Sequence, residues 1–120
     1  MIYEELSRDI IGAAMTVLNT LRPGLDEKLY EHALRIELRK YGHRIDQQRA
    51  FPVYYESHLI GTLIPDLIVN ERVIVDSKVV TNFNDTHAAQ MLGYLAVTRL
   101  KLALLLNFQS AKLEWKRIVS

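Results

Sequence analysis

The sequence predicts an α+β domain of order ααβββαββ, a central mixed sheet flanked by helices. Three observations predict it: helical apolar spacing through the first third, β-forming residues through the middle, and a third helical stripe followed by two apolar strands. Leu6, Ile10, Ala13, Val17 and Leu21 recur every three or four residues, the stripe of an amphipathic helix. Arg22-Pro23-Gly24 breaks it. A second helix begins near Leu25, carries Tyr30, Leu34, Leu38 and Tyr41, and ends at Gly42, a suitable C-terminal cap. Ala50 to Tyr55 then reads as a strand, Ser57-His58 as a turn, and Leu59 to Val69 as an extended, mostly apolar run. Asn70-Glu71-Arg72 interrupts, and Val73-Ile74-Val75 resumes the strand pattern. A third helix runs from about Asn84 to Arg99, with Ala88, Met91, Leu92 and Leu95 expected inward. Leu102 to Phe108 is a continuous apolar run that suits a buried strand, and Leu113 to Val119 a last one carrying the single tryptophan, Trp115.

At 120 residues the chain fits a single domain, residues 1–120, and its 49% hydrophobic content suffices for one core. The absence of cysteine excludes a disulfide framework and a zinc–thiolate site. The start, Met1-Ile2-Tyr3-Glu4-Glu5, lacks the basic-then-apolar pattern of a secretory signal, and no apolar stretch approaches the ~20 residues of a membrane span. A cytoplasmic location with no membrane partner is the expectation. A formal charge of +1 gives no support for a strongly basic nucleic-acid binder and leaves room for a local basic patch.

The chemistry concentrates in Pro65-Asp66 and, ten residues later, Asp76-Ser77-Lys78. If Asn70-Glu71-Arg72 is a three-residue hairpin loop, Val69 pairs with Val73 and Asp66 lies opposite Asp76. Opposed residues share a sheet face with Cβ atoms about 4.5–5.5 Å apart, and like charges so placed need something positive between them. Lys78, two residues beyond Asp76, falls on the same face. Ile64, Ile68 and Ile74 share that face, while Leu67, Val69, Val73 and Val75 fill the other, which puts the hairpin in the sheet interior. Carboxylates there need a metal or a cation. An oxygen-only set suits a hard ion such as Mg²⁺ or Mn²⁺, held by Asp66 and Asp76 with a backbone carbonyl, Ser77's being the candidate, and water. Such an ion polarises a phosphodiester, and Lys78 is placed to orient the attacking water or stabilise developing negative charge. The same three residues also fit a plain ion-paired turn.

Glu27 is a fourth candidate, three residues before Tyr30 and seven before Leu34 and so on their inward face; favourable charge at a helix N-terminus is its alternative role. Gln90 and Tyr94, an i, i+4 pair on the third helix, are candidates to reach the same site, and Gln48 is a weaker one. Tyr94 and Gln48 are the candidates for contact with nucleic acid. His32, His43, His58 and His87 are dispersed without metal-ligand spacing. No P-loop, G-x-G-x-x-G or G-x-S-x-G motif is present, so a Walker site, a Rossmann cofactor and an α/β-hydrolase nucleophile have no support.

These residues together resemble the PD-(D/E)XK nuclease superfamily, and within it the small bacterial GxxExxY proteins. The naming motif reads Gly24-Leu25-Asp26-Glu27-Lys28-Leu29-Tyr30, and the hairpin signature Pro65-Asp66 with Asp76-Ser77-Lys78. Further similarity lies in Pro52-Val53-Tyr54-Tyr55, in His87 to Leu95 and in Leu105-Leu106-Asn107-Phe108, so the likeness runs from about Leu6 to Val119. It implies a core of helix, three antiparallel strands, helix and strand. By the same resemblance Asp66 and Asp76 bind the metal, Lys78 is catalytic, Glu27 is the acid of the first core helix, and Gln90 and Tyr94 are supporting polar groups. Two positions depart from the expected pattern: Asp76, where Glu is commoner, and Ile64, where a basic residue is commoner. The implied activity is Mg²⁺-dependent hydrolysis of DNA, ahead of RNA; the alternative is a weak or inactive nuclease-fold module that binds nucleic acid or protein. With so little chain beyond the core, sequence selectivity would need a homodimer or a partner protein.

Overall fold

The helical stripes place α1 at Glu4–Leu21 and α2 at Glu27–Lys40. Leu6, Ile10, Ala13, Ala14, Val17 and Leu18 of α1 and Tyr30, Leu34 and Leu38 of α2 are buried, each set on one side of its helix. The computed structural model describes residues 1–120. The break between the helices is backbone-driven: Arg22 takes φ 67° and Gly24 φ 113°, left-handed values that stop a helix. Gly42, at φ 86° just beyond α2, ends that helix as expected.

Five strands follow before the third helix: β1 (Ile45–Gln47), β2 (Phe51–Tyr55), β3 (His58–Leu63), β4 (Leu67–Val69) and β5 (Val73–Lys78). The sequence pattern predicts three. Ile45–Gln47 is too short to show a period. The extended run from Leu59 to Val69 is divided at Ile64-Pro65-Asp66, where Pro65 has no N–H to give a ladder. Helix α3 (Asp85–Thr98) and strands β6 (Leu102–Asn107) and β7 (Glu114–Val119) complete the chain.

The main sheet has the order β1-β4-β5-β6-β7, and β2 and β3 form a separate pair. β5 and β6 run parallel, and the other pairs of the main sheet are antiparallel. A parallel pair needs a crossover connection, and α3 supplies it. This is the mixed sheet flanked by helices that the sequence predicts.

Period-2 alternation sorts the strands into two cores. Leu67, Val69, Val73, Val75, Leu102, Leu104 and Leu106 pack against α1 and α2. Ile68, Ile74, Ala103, Leu105 and Ile118 pack against Met91 and Leu95 of α3. With both faces covered, Leu102 and Leu104–Leu106 of β6 have no exposed surface, and burying each such side chain contributes about 1.5–3 kcal/mol. Leu92, expected inward, is 48% exposed. The line from Met91 to Leu95 meets the sheet, and Leu92 lies one position further round the helix.

Candidate active site

The β4–β5 hairpin has the register that a three-residue loop predicts: Val69 pairs with Val73, Ile68 with Ile74 and Leu67 with Val75. Asn70 (φ 54°) and Glu71 (φ 58°) adopt left-handed backbone to make the turn. Continued by one residue, this register brings Asp66 beside Asp76. Asp66 lies at the bend just before β4, and its Oδ2 accepts a hydrogen bond of 3.3 Å from Ser77 N–H. Asp76 is 4% exposed. Ile64, expected on this inner face, is turned outward by the bend at Pro65 and is 45% exposed.

Lys78 Nζ stands 2.9 Å from Asp76 Oδ2 and donates to Gln90 Oε1 at 3.2 Å. Gln90 Nε2 in turn donates to Tyr94 Oη at 3.3 Å. The expected pair on α3 therefore reaches the lysine of β5 in one connected chain. The Lys78–Asp76 contact is a charge pair whose angles miss those of a hydrogen bond, so Asp76 Oδ2 is buried without a donor.

Glu27 differs from the expectation of an inward side chain. It is exposed, and its Oε1 accepts from the backbone N–H of Val79 at 3.0 Å, just past the end of β5. The first turn of α2 lies over the strand end, so the carboxylate reaches down to a free backbone donor rather than into the core. The inward acid is Glu31, 2% exposed and not foreseen from the sequence. Its Oε2 accepts from Gln47 Nε2 at 2.7 Å and Gln48 Nε2 at 3.0 Å, and its Oε1 from Lys28 Nζ at 3.3 Å. Gln48 also donates its backbone N–H to Asp66 O at 3.0 Å, linking the two acids through one residue. The signal that could have found Glu31 was a charge inside the stripe Tyr30, Leu34 and Leu38. Asn107, 2% exposed, exchanges two hydrogen bonds with the backbone of Val80, at 3.2 and 2.8 Å, and holds the chain where it leaves β5.

The other two positions of the GxxExxY pattern are structural. Gly24 supplies the left-handed turn. Tyr30 donates its hydroxyl to Arg22 O at 2.6 Å, accepts from Leu25 N–H at 3.1 Å, and stacks on Phe108 with ring centroids 4.7 Å apart.

Negative charge exceeds positive at this end of the sheet. Burial pushes the Asp66 carboxyl up to about 7, helped by Asp76 and Glu31, against a small opposing pull from Ser77 N–H. Burial works against the Lys78 ammonium, but Asp76, Glu27 and Asp66 outweigh it and hold that pKa above its ordinary value. Burial, Asp76 and Asp66 likewise raise the Tyr94 phenol.

An orphaned buried carboxylate oxygen, a second carboxyl pushed towards its neutral form and an all-oxygen donor set fit a hard divalent cation. No group of three His, Asp or Glu side chains converges on one point. Asp66 and Asp76 would therefore hold an ion with backbone carbonyl and water completing its shell. An open hollow of about 500 Å³ lined by Leu25, Asp26, Glu27, Lys28 and Val79 adjoins the site. Another, of about 420 Å³ and lined in part by Tyr3, Asp9, His43, Asn70 and Arg72, lies at the turn end of the hairpin and holds none of these residues. Of the cations considered for phosphate contact, Lys28 is at the site, whereas Arg72 precedes β5 and Arg99 precedes β6, at the far end of the sheet. No helix is long and apolar enough to cross a membrane.

A family model described as the PD-(D/E)XK nuclease superfamily matches residues 4–118. Comparison with curated proteins and with solved structures finds no match.

Proposed function

The chain belongs to the PD-(D/E)XK nuclease superfamily, and from that premise we propose that it is a divalent-metal-dependent nuclease hydrolysing phosphodiester bonds of DNA. The observation that carries the reading is the buried Asp76 Oδ2, which has no hydrogen-bond donor although Asp66 and Lys78 stand beside it. Asp66 and Asp76 hold the ion, Mg²⁺ or Mn²⁺, with the Ser77 carbonyl as the backbone candidate. Bound there, the ion supplies positive charge to the scissile phosphate and makes nearby water more acidic.

The residues of the chain do the rest. Lys78 stays protonated and presents its ammonium to the phosphate or to the attacking water. Gln90 aims that ammonium, and Tyr94 holds Gln90 while its half-buried ring borders the path of the nucleic acid. Glu31 positions Asp66 through Gln48, whose side-chain amide is engaged inward. Glu27 anchors the strand end beneath Lys78. Gly24, Glu27 and Tyr30, each with a separate structural task, support the finer assignment to the GxxExxY group.

Purified protein is to be incubated with duplex DNA, linear and circular, with single-stranded DNA and with RNA, in Mg²⁺, Mn²⁺ or EDTA. Cleavage is expected on DNA in metal only, and Lys78→Ala and Asp76→Asn are each expected to lower it by about 10²-fold or more. Cleavage of RNA alone would correct the substrate. Folded protein that binds the ion yet cuts nothing would make the domain a binding module, and failure to bind an ion by calorimetry would end the metal-site reading.

A further inference from the structure

The β2–β3 hairpin stands apart from the main sheet. Its two-residue turn, Glu56-Ser57, has φ 47° and 67°, the double left-handed pattern of a tight hairpin. Phe51, at its base, packs against the core under α3. Beyond that anchor residues 54–62 are all exposed, with Tyr54, Tyr55, Leu59 and Ile60 each between 61% and 65%.

The outer edge of β3 has no strand partner. Protein sheets protect free edges by shortness, charge or proline. The main sheet does so: β1 has three residues, and β7 carries Glu114, Lys116 and Arg117. β2 carries Pro52. β3 reads His58-Leu59-Ile60-Gly61-Thr62-Leu63, with no Lys, Arg, Asp, Glu or Pro. Residues 51–63 include no Lys or Arg and a single acid, Glu56. A surface without cations does not fit phosphates, whose neutralisation dominates nucleic-acid binding. It fits protein.

We propose that β3 is a dimerisation edge, pairing antiparallel with β3 of a second copy. An antiparallel pair of identical strands is two-fold symmetric, so one edge complements itself. The resulting four-strand order, β2-β3-β3-β2, ends on both sides in a strand carrying Pro52, and assembly stops at two copies. Antiparallel pairing also sends the two turns to opposite ends and separates the two Glu56 carboxylates. The exposed parts of two tyrosines, a leucine and an isoleucine offer on the order of 400 Å² of apolar surface per copy. The paired backbone brings this near the lower bound for a specific dimer, about 600 Å² per partner.

The chain has no cysteine, so a single introduced one can crosslink only between copies. Cysteine is to be placed in turn at Leu59, Ile60, Gly61 and Thr62, and at Ile36, an equally exposed apolar residue on α2. Sedimentation is expected to show a dimer. Oxidation is expected to crosslink the β3 series, most strongly at the position nearest the two-fold axis, and to spare Ile36→Cys. Ile60→Lys is expected to raise the dimer dissociation constant by about tenfold or more by opposing like charges, with its thermal unfolding of the fold retained by circular dichroism. A monomer at all concentrations, or a dimer that Ile60→Lys leaves unchanged, would overturn the proposal. So would a monomer whose DNA binding is lost in Ile60→Lys, which would make the hairpin a nucleic-acid contact.

Discussion

Asp66 is surrounded by negative charge before any ion is added. Burial, then Asp76 and then Glu31 raise its carboxyl from 3.8 to about 7. A group bound more tightly to its proton in the native state favours that state fully below the unfolded pKa, and the advantage is lost as pH rises from about 4 to about 7. In EDTA the urea midpoint is therefore expected to be higher at about pH 5.5 than at about pH 7.5, and Asp66→Asn is expected to flatten that difference. A wild-type slope no steeper than the variant's would show the two carboxyls to be uncoupled. Glu31→Gln keeps the shape and removes one charge, so the Asp66 carboxyl is expected to titrate below 7 by carbon NMR. The juxtaposition of Asp66, Asp76 and Lys78 was legible because strand alternation and loop length set it locally. Glu31 was not, because its approach to Asp66 depends on how α2 lies across the end of the sheet.

Helix α3 connects its start to the site it serves. Asn84 Oδ1 accepts from His87 N–H at 3.0 Å, and His87 Nδ1 accepts from Asn84 N–H at 3.2 Å, a reciprocal cap. Asn84→Ala is expected to cost about 1 kcal/mol in chemical unfolding. The same change is expected to weaken cleavage modestly, because Gln90 and Tyr94 ride on the first turns of this helix; a loss as large as that of Lys78→Ala would contradict so indirect a role. The positions of the three helices could be read from their stripes, to within a residue or two of their ends. The strand count could not. A continuous apolar stretch from Leu59 to Val69 looks the same whether its two halves share one ladder or part at a proline, and the halves here have different partners.

Across the whole molecule, apolar burial on both faces of the sheet carries the fold, and the acidic end is a local cost that a bound ion relieves. Mg²⁺ or Mn²⁺ at about 100 times its dissociation constant is expected to raise unfolding free energy by about 2.7 kcal/mol in the wild type and not in Asp76→Asn. A wild-type denaturant midpoint that ignores the ion would count against the proposed site. Residue order alone determined the α+β class, both faces of the β4–β5 hairpin and the opposition of Asp66 to Asp76, since helical and strand periods are local geometry that neighbours in sequence impose. Packing settled what sequence distance conceals. It turned Ile64 out, left Glu27 at a strand end, brought Glu31 through Gln48 to Asp66, and exposed the edge of β3. Each of these depends on which elements lie side by side, a choice made by burial over the whole core rather than by any short run of residues.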